Sequence, residues 1–127
     1  MTRTIVSILM ILGLFLSGCA FDLAHVSYAK TEAVTKSGKS FKVREAIALT
    51  GMPCWKNRTI AGGTTWNLIG TIPEGEVYKS NSQTLTVECS NIHEAYLVVR
   101  DKSVVGFYLP VERGFVTLPE PVALKIE

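Results

Sequence analysis

The chain reads as an all-β domain. It is a small barrel or sandwich of about five to seven short antiparallel strands, preceded by a cleaved signal helix and a linker. Three observations predict this. Short runs rich in β-branched and aromatic residues recur from Phe41 to the C-terminus. Each run is cut by a Gly, Pro, Asn, Asp or Ser turn. No stretch after residue 40 sustains a helical period for about ten residues.

The elements follow in order. Phe41, Val43 and Ala46 to Leu49 begin the first strand, and Gly51-Met52-Pro53-Cys54 breaks it. Asn57-Arg58 and Gly62-Gly63 mark a loop. Thr64 to Ile72 is the next strand, and strict alternation places Trp66, Leu68, Gly70 and Ile72 on one face. Pro73-Glu74-Gly75 turns the chain, and Glu76-Val77-Tyr78 starts the return. Ser80-Asn81-Ser82 is another turn. From Gln83 to Cys89, Leu85, Val87 and Cys89 face inward while Thr84, Thr86 and Glu88 face outward. Glu94 to Arg100 and Ser103 to Leu109 flank Asp101-Lys102, a tight hairpin with a poorer turn pair than Asp-Gly. The aromatic segment Gly106 to Glu112 contains Pro110 and is expected at a sheet edge, since proline removes a ladder donor. Gly114 precedes Phe115 to Leu118, and Pro119 and Pro121 lead to a last strand, Val122 to Ile126.

The N-terminus has a different character. Arg3 and the amino terminus are positive, and Ile5 to Leu16 is almost wholly apolar. This run of 12 residues suits a secretory h-region and falls short of the roughly 18 to 20 residues of a membrane-spanning helix. Ser17-Gly18 supplies the small residues of a cleavage site. A buried core helix is the alternative for an apolar run of this length. Residues 1–18 are therefore read as signal peptide, 19–40 as a tether with a short helix near Lys30 to Thr35, and 41–127 as the β-domain.

Leu16-Ser17-Gly18-Cys19 resembles the lipobox of bacterial lipoprotein precursors. The resemblance covers residues 1–19. It implies a diacylglycerol on the Cys19 sulfur, cleavage before Cys19 and an acylated new amino group. It also implies localisation to a membrane, and Ala20 rather than Asp after the cysteine favours the outer membrane of a Gram-negative host, facing the periplasm. Two or more acyl chains anchor a protein stably where one does so only marginally.

Cys54 and Cys89 remain, an even pair in an exported chain, which reads as a disulfide. The loop it closes has about 36 residues, for which chain entropy yields at most roughly 4 kcal/mol. Two free thiols or a metal pair are the alternatives. A zinc site wants four close ligands, and here two distant cysteines have only His93 nearby. No metal and no cofactor beyond the covalent lipid on Cys19 is expected.

Net charge is +2, which supplies no global field for nucleic acid. Seven basic residues from Lys30 to Arg58 face only Glu32 and Glu45, whereas eight acidic and five basic residues follow from Glu74 onward. The basic part follows the anchor and reads as a solvated tether or as a segment attracted to anionic lipid.

Catalytic signatures are sparse. His93 and Glu94 are adjacent on a strand and point to opposite faces, so they do not share a site. Gly62-Gly63-Thr64-Thr65 has no lysine in P-loop position, and no Gly-x-Ser-x-Gly occurs. The chain is not expected to be an enzyme. Aromatic residues outside a core mark contact surfaces, and Trp55, Arg58 and Tyr108 are the candidate binding face. For Trp55 the competing role is to pack over the disulfide.

Ile69-Gly70-Thr71-Ile72-Pro73-Glu74-Gly75-Glu76-Val77 resembles the diverging turn of bacterial SH3-like domains. Tyr96-Leu97-Val98-Val99, the Asp101-Lys102 turn and Val105-Gly106-Phe107 resemble their next hairpin, with Gly-Phe where the family commonly has Gly-Trp. The resemblance covers about residues 41–118 and implies a small SH3-like barrel. It also implies binding to wall peptides, proline-containing segments or protein partners. The expected function is a non-catalytic lipoprotein that binds an envelope protein or peptidoglycan. The alternative is an inhibitory or exclusion lipoprotein that blocks a phage, conjugation or lysozyme-like factor.

Overall fold

The computed structural model describes residues 24–25, 38–50, 58–88 and 91–127. The signal peptide, Cys19, the short helix near Lys30 to Thr35, Cys54, Trp55 and Cys89 lie outside the described residues.

Every described element is a strand: β1 (Ala24–His25), β2 (Ser40–Lys42), β3 (Ile47–Leu49), β4 (Arg58–Ile60), β5 (Thr65–Ile72), β6 (Gly75–Ser80), β7 (Leu85–Glu88), β8 (Ile92–Arg100), β9 (Ser103–Leu109) and β10 (Gly114–Ala123). All pairings are antiparallel. The main sheet runs β1-β10-β9-β8-β6-β5-β2, with β7 on the first half of β8, and β3–β4 form a separate hairpin. The all-β class is as the sequence predicts, and the described strands are arranged as a small sandwich with no closed barrel among them. The C-terminal residues still reach the β2 end of the sheet. Val43 bridges Ile126, Arg44 N–H donates to Lys125 O at 2.7 Å, and Glu127 N–H donates to Lys42 O at 3.0 Å.

The strands outnumber those expected because several are pairings of only two or three residues. β1 falls within the stretch read as tether and pairs Ala24 with Phe115 and His25 with Gly114. The segment expected at a sheet edge, β9, is interior, held between β8 and β10. Pro110 lies just beyond its end, where a missing donor costs nothing to the ladder.

The principal core lies on one face of the sheet, here the inner face. Trp66, Tyr78, Leu97, Val99, Val104, Phe107, Leu109 and Val116 project into it, with Leu85 and Val87 as the alternation of β7 predicts. The β3–β4 hairpin covers it with Ile47, Leu49 and Ile60. Trp66 is buried without an orphaned donor. Its Nε1–H donates to Thr64 Oγ1 at 2.9 Å, and that hydroxyl donates to Ala61 O at 2.6 Å. Gln83 fastens the β4–β5 link to the β6–β7 turn, donating to Thr59 O at 2.8 Å and accepting from Ala61 N–H at 2.9 Å.

A second cluster occupies the opposite, outer face: Ile72, Val77, Val98, Tyr108 and Phe115, with Ile69, Tyr96 and Val105 packed against it. Two register shifts create it. Leu68 pairs with Tyr78 but Gly70 pairs with Val77, so Ile69 is an extra residue in β5. A bulge reverses the alternation beyond it. Trp66 and Leu68 therefore face inward while Ile72 belongs to the outer cluster, which corrects the single face expected for Trp66, Leu68, Gly70 and Ile72. Likewise Val98 pairs with Gly106 and Val99 with Val104, leaving Val105 extra in β9. Beyond that bulge the Phe115 ring lies over Gly106. A Cβ on Gly106 would sit 2.2 Å from Val116 O and 2.6 Å from Phe115 Cε2, so only glycine fits.

Candidate functional site

The candidate binding residues separate in the structure. Tyr108 is only 3% exposed, which withdraws it from the exposed aromatic face read from the sequence. The physical reason is its phase in β9, two residues past Gly106. Tyr108 pairs with Tyr96 and Phe115, and its ring fills the outer cluster. Burial raises its pKa above the ordinary tyrosine value. Arg58 places its backbone in β4 opposite Leu49.

The outer face carries a feature that no sequence pattern marked. An open cleft of about 470 Å³ lies between the β5–β6 turn, the β8–β9 hairpin and β10. Val105, Phe115 and Pro121 supply its apolar lining. Glu74, Arg100, Asp101, Ser103 and Thr117 supply its polar lining. The volume lies in the range of about 300 to 1,000 Å³ typical of small-ligand sites.

Each wall has a local cause. Asp101 and Lys102 both have positive φ, 51° and 60°, the pattern of a type I′ hairpin turn, which sets the β8–β9 tip. Gly75 lets the β5–β6 turn press on β8, since a Cβ there would lie 2.5 Å from Val99 O. Between Thr117 and Val122 the β9–β10 register shifts, and the intervening Pro119 and Pro121 lack donors that the ladder would otherwise need.

The electrostatics of the cleft are unbalanced. Glu74 Oε2 is buried and has no hydrogen-bond partner among the described residues. Arg100 turns instead to Asp101, with Nε 3.9 Å from Oδ2 and both side chains largely exposed. On the remainder of the outer face, Lys79 Nζ sits 5.5 Å from the centroid of the Tyr96 ring, within cation–π range.

Basic residues near both ends of the domain have carboxylate partners. Lys39 Nζ donates to Glu76 Oε1 at 2.8 Å, Lys42 lies 3.7 Å from Glu127, and Lys125 lies 3.7 Å from Glu45. Exposed pairs of this kind add about 0–1 kcal/mol each. For Lys39 and Lys42 the effect is to offset part of the positive charge at the start of the domain.

His93 contacts Glu112 rather than Glu94, tying the start of β8 to the β9–β10 loop. The two residues that precede this pair, Ile92 and Val111, are exposed apolar side chains. Among the described residues no group of three or more His, Cys, Asp or Glu side chains is placed to hold a metal ion.

Compared with known proteins, the chain matches no family model, no curated protein and no solved structure.

Proposed function

We propose that this chain is a lipid-anchored protein of the cell envelope, and that its β-domain captures a partner without catalysis. Cys19 carries the lipid, and the anchor sits in the outer membrane with the domain facing the periplasm. A Cys54–Cys89 disulfide staples the domain. The partner is an envelope protein or peptidoglycan. The SH3-like pattern of turns supports a binding module of this kind, and the lipobox resemblance supports the anchor.

The observation that carries the binding reading is the second face of the sheet. One face suffices to bury the main core around Trp66 and Phe107. The other holds an apolar cluster continuous, through Val105 and Phe115, with an open, mixed-polarity cleft. Apolar surface beside a few convergent polar groups is the composition of a ligand site.

The test uses the full-length protein extracted in mild detergent. Labelled palmitate should enter the wild type and not Cys19→Ser. The extracted protein is then incubated with isolated peptidoglycan and, separately, with envelope extract. Retention on peptidoglycan identifies a wall-binding module. Retention of one envelope protein, with none on the wall, identifies an assembly or inhibitory partner. Failure to label, or release from both fractions, contradicts the proposal.

A further inference from the structure

We propose that the outer-face cleft is a subsite for a primary ammonium group on an aliphatic stem, such as a lysine side chain presented by an extended peptide, with Glu74 as its counter-charge. The inference rests on reading the outer face as the contact surface, and it names the chemistry that surface selects.

Glu74 is the centre of the proposed subsite. Its turn is pinned, because Gly75 leaves no room between the chain and Val99 O. Its Oε2 is buried and unpartnered among the described residues, so no described donor neutralises the carboxylate from within the fold. The one guanidinium among the described lining residues, on Arg100, has its Nε 3.9 Å from Asp101 Oδ2. Two carboxylates against one guanidinium leave the described lining with an excess negative charge. The missing element is a cationic donor.

The shape selects which cation. A guanidinium binds best when both carboxylate oxygens are free to receive its fork. At Glu74 the Oε2 is buried, which leaves one oxygen for the cleft and suits the compact, monodentate ammonium. Val105 and Phe115 line the same cleft and offer a surface for the methylenes of the stem. The Thr117 hydroxyl is a lateral acceptor for a second N–H of the ammonium.

The experiment is a titration of the full-length, ¹⁵N-labelled protein in detergent micelles with N-acetyl-lysine methylamide, followed by amide chemical shifts. N-acetyl-norleucine methylamide, without the ammonium, is the control probe. The lysine probe should shift the amides of Glu74, Val105 and Thr117, and Glu74→Gln should weaken it roughly tenfold, the size expected for one charge-assisted bond. A second variant reads the same site without any added ligand. Thr117→Lys places an ammonium in the cleft, and it should raise the melting temperature in the wild-type background and not in Glu74→Gln. Equal shifts with the norleucine probe, or a Thr117→Lys effect unchanged by Glu74→Gln, would overturn the proposal. Lysine-probe binding by a protein that envelope fractions release would sink the envelope-binding reading and leave this one standing. Retention by the envelope without lysine-probe binding would do the reverse.

Discussion

The two faces of the main sheet are built from the same strands and hold different kinds of surface. The inner face is sealed. The β3–β4 hairpin lies across it, and the buried Trp66 indole donor is satisfied through Thr64 and Ala61. The outer face has an apolar cluster of its own, yet it also holds a cleft, an orphaned carboxylate oxygen and an exposed ion pair. Stability favours the first arrangement, since buried polar groups are ordinarily paired. A carboxylate beside an open, partly apolar cleft is the composition of a ligand site.

The largest expected effect separates the faces directly. Trp66→Ala, on the inner face, should cost about 3–5 kcal/mol in urea unfolding, as truncation of buried aromatics does. Tyr96→Ala, at a half-buried outer position, should cost less than about 2 kcal/mol. Equal losses would erase the distinction. Next comes the joint between β9 and β10. Gly106→Ala forces a methyl group against Val116 O and the Phe115 ring, and overpacking of this kind costs about 1–3 kcal/mol. Chemical denaturation with a wild-type slope should show it.

A smaller effect concerns pH. The Lys39 pKa is raised above its ordinary value of 10.5, chiefly by its hydrogen bond to Glu76. The Tyr78 pKa is raised above 10.0, chiefly by burial. Both groups keep their protons longer folded than unfolded. Their contribution is complete below the unfolded values and is lost as pH rises through the folded ones. Thermal melts should therefore show stability falling above about pH 10. Smallest is the hairpin tip. Lys102 sits at φ 60°, and Lys102→Gly relieves that strain at some entropic cost, for a net gain of about 0.5 kcal/mol. A loss of stability would show that the Lys102 side chain does more than turn the chain.

The contrast between the faces was only half legible in the sequence. Leu85 and Val87 declared their inward phase by alternation, and Pro73 to Gly75 and Asp101-Lys102 declared their turns, because these signals are local. The bulges at Ile69 and Val105 left no mark in composition. Each inserts one residue and reverses the faces that follow, so Ile72 and Tyr108 fall on the outer side. Tyr108 read as a surface aromatic because its depth depends on pairing with Tyr96 and Phe115, contacts that composition does not encode. The interior place of β9 was hidden for the same reason. Glu74, Arg100 and Thr117 lie on three separate segments, and only the order β10-β9-β8-β6-β5 brings them to one cleft.

The most direct test places a photo-crosslinking side chain at exposed Thr117, on the outer face, and at exposed Lys42, near the other end of the sheet. Each full-length variant is irradiated in intact envelopes. The account predicts a crosslink from position 117 to a single envelope component and none from position 42. Crosslinks from position 42 alone, or from neither position, would contradict the claim that the outer face is where this protein meets its partner.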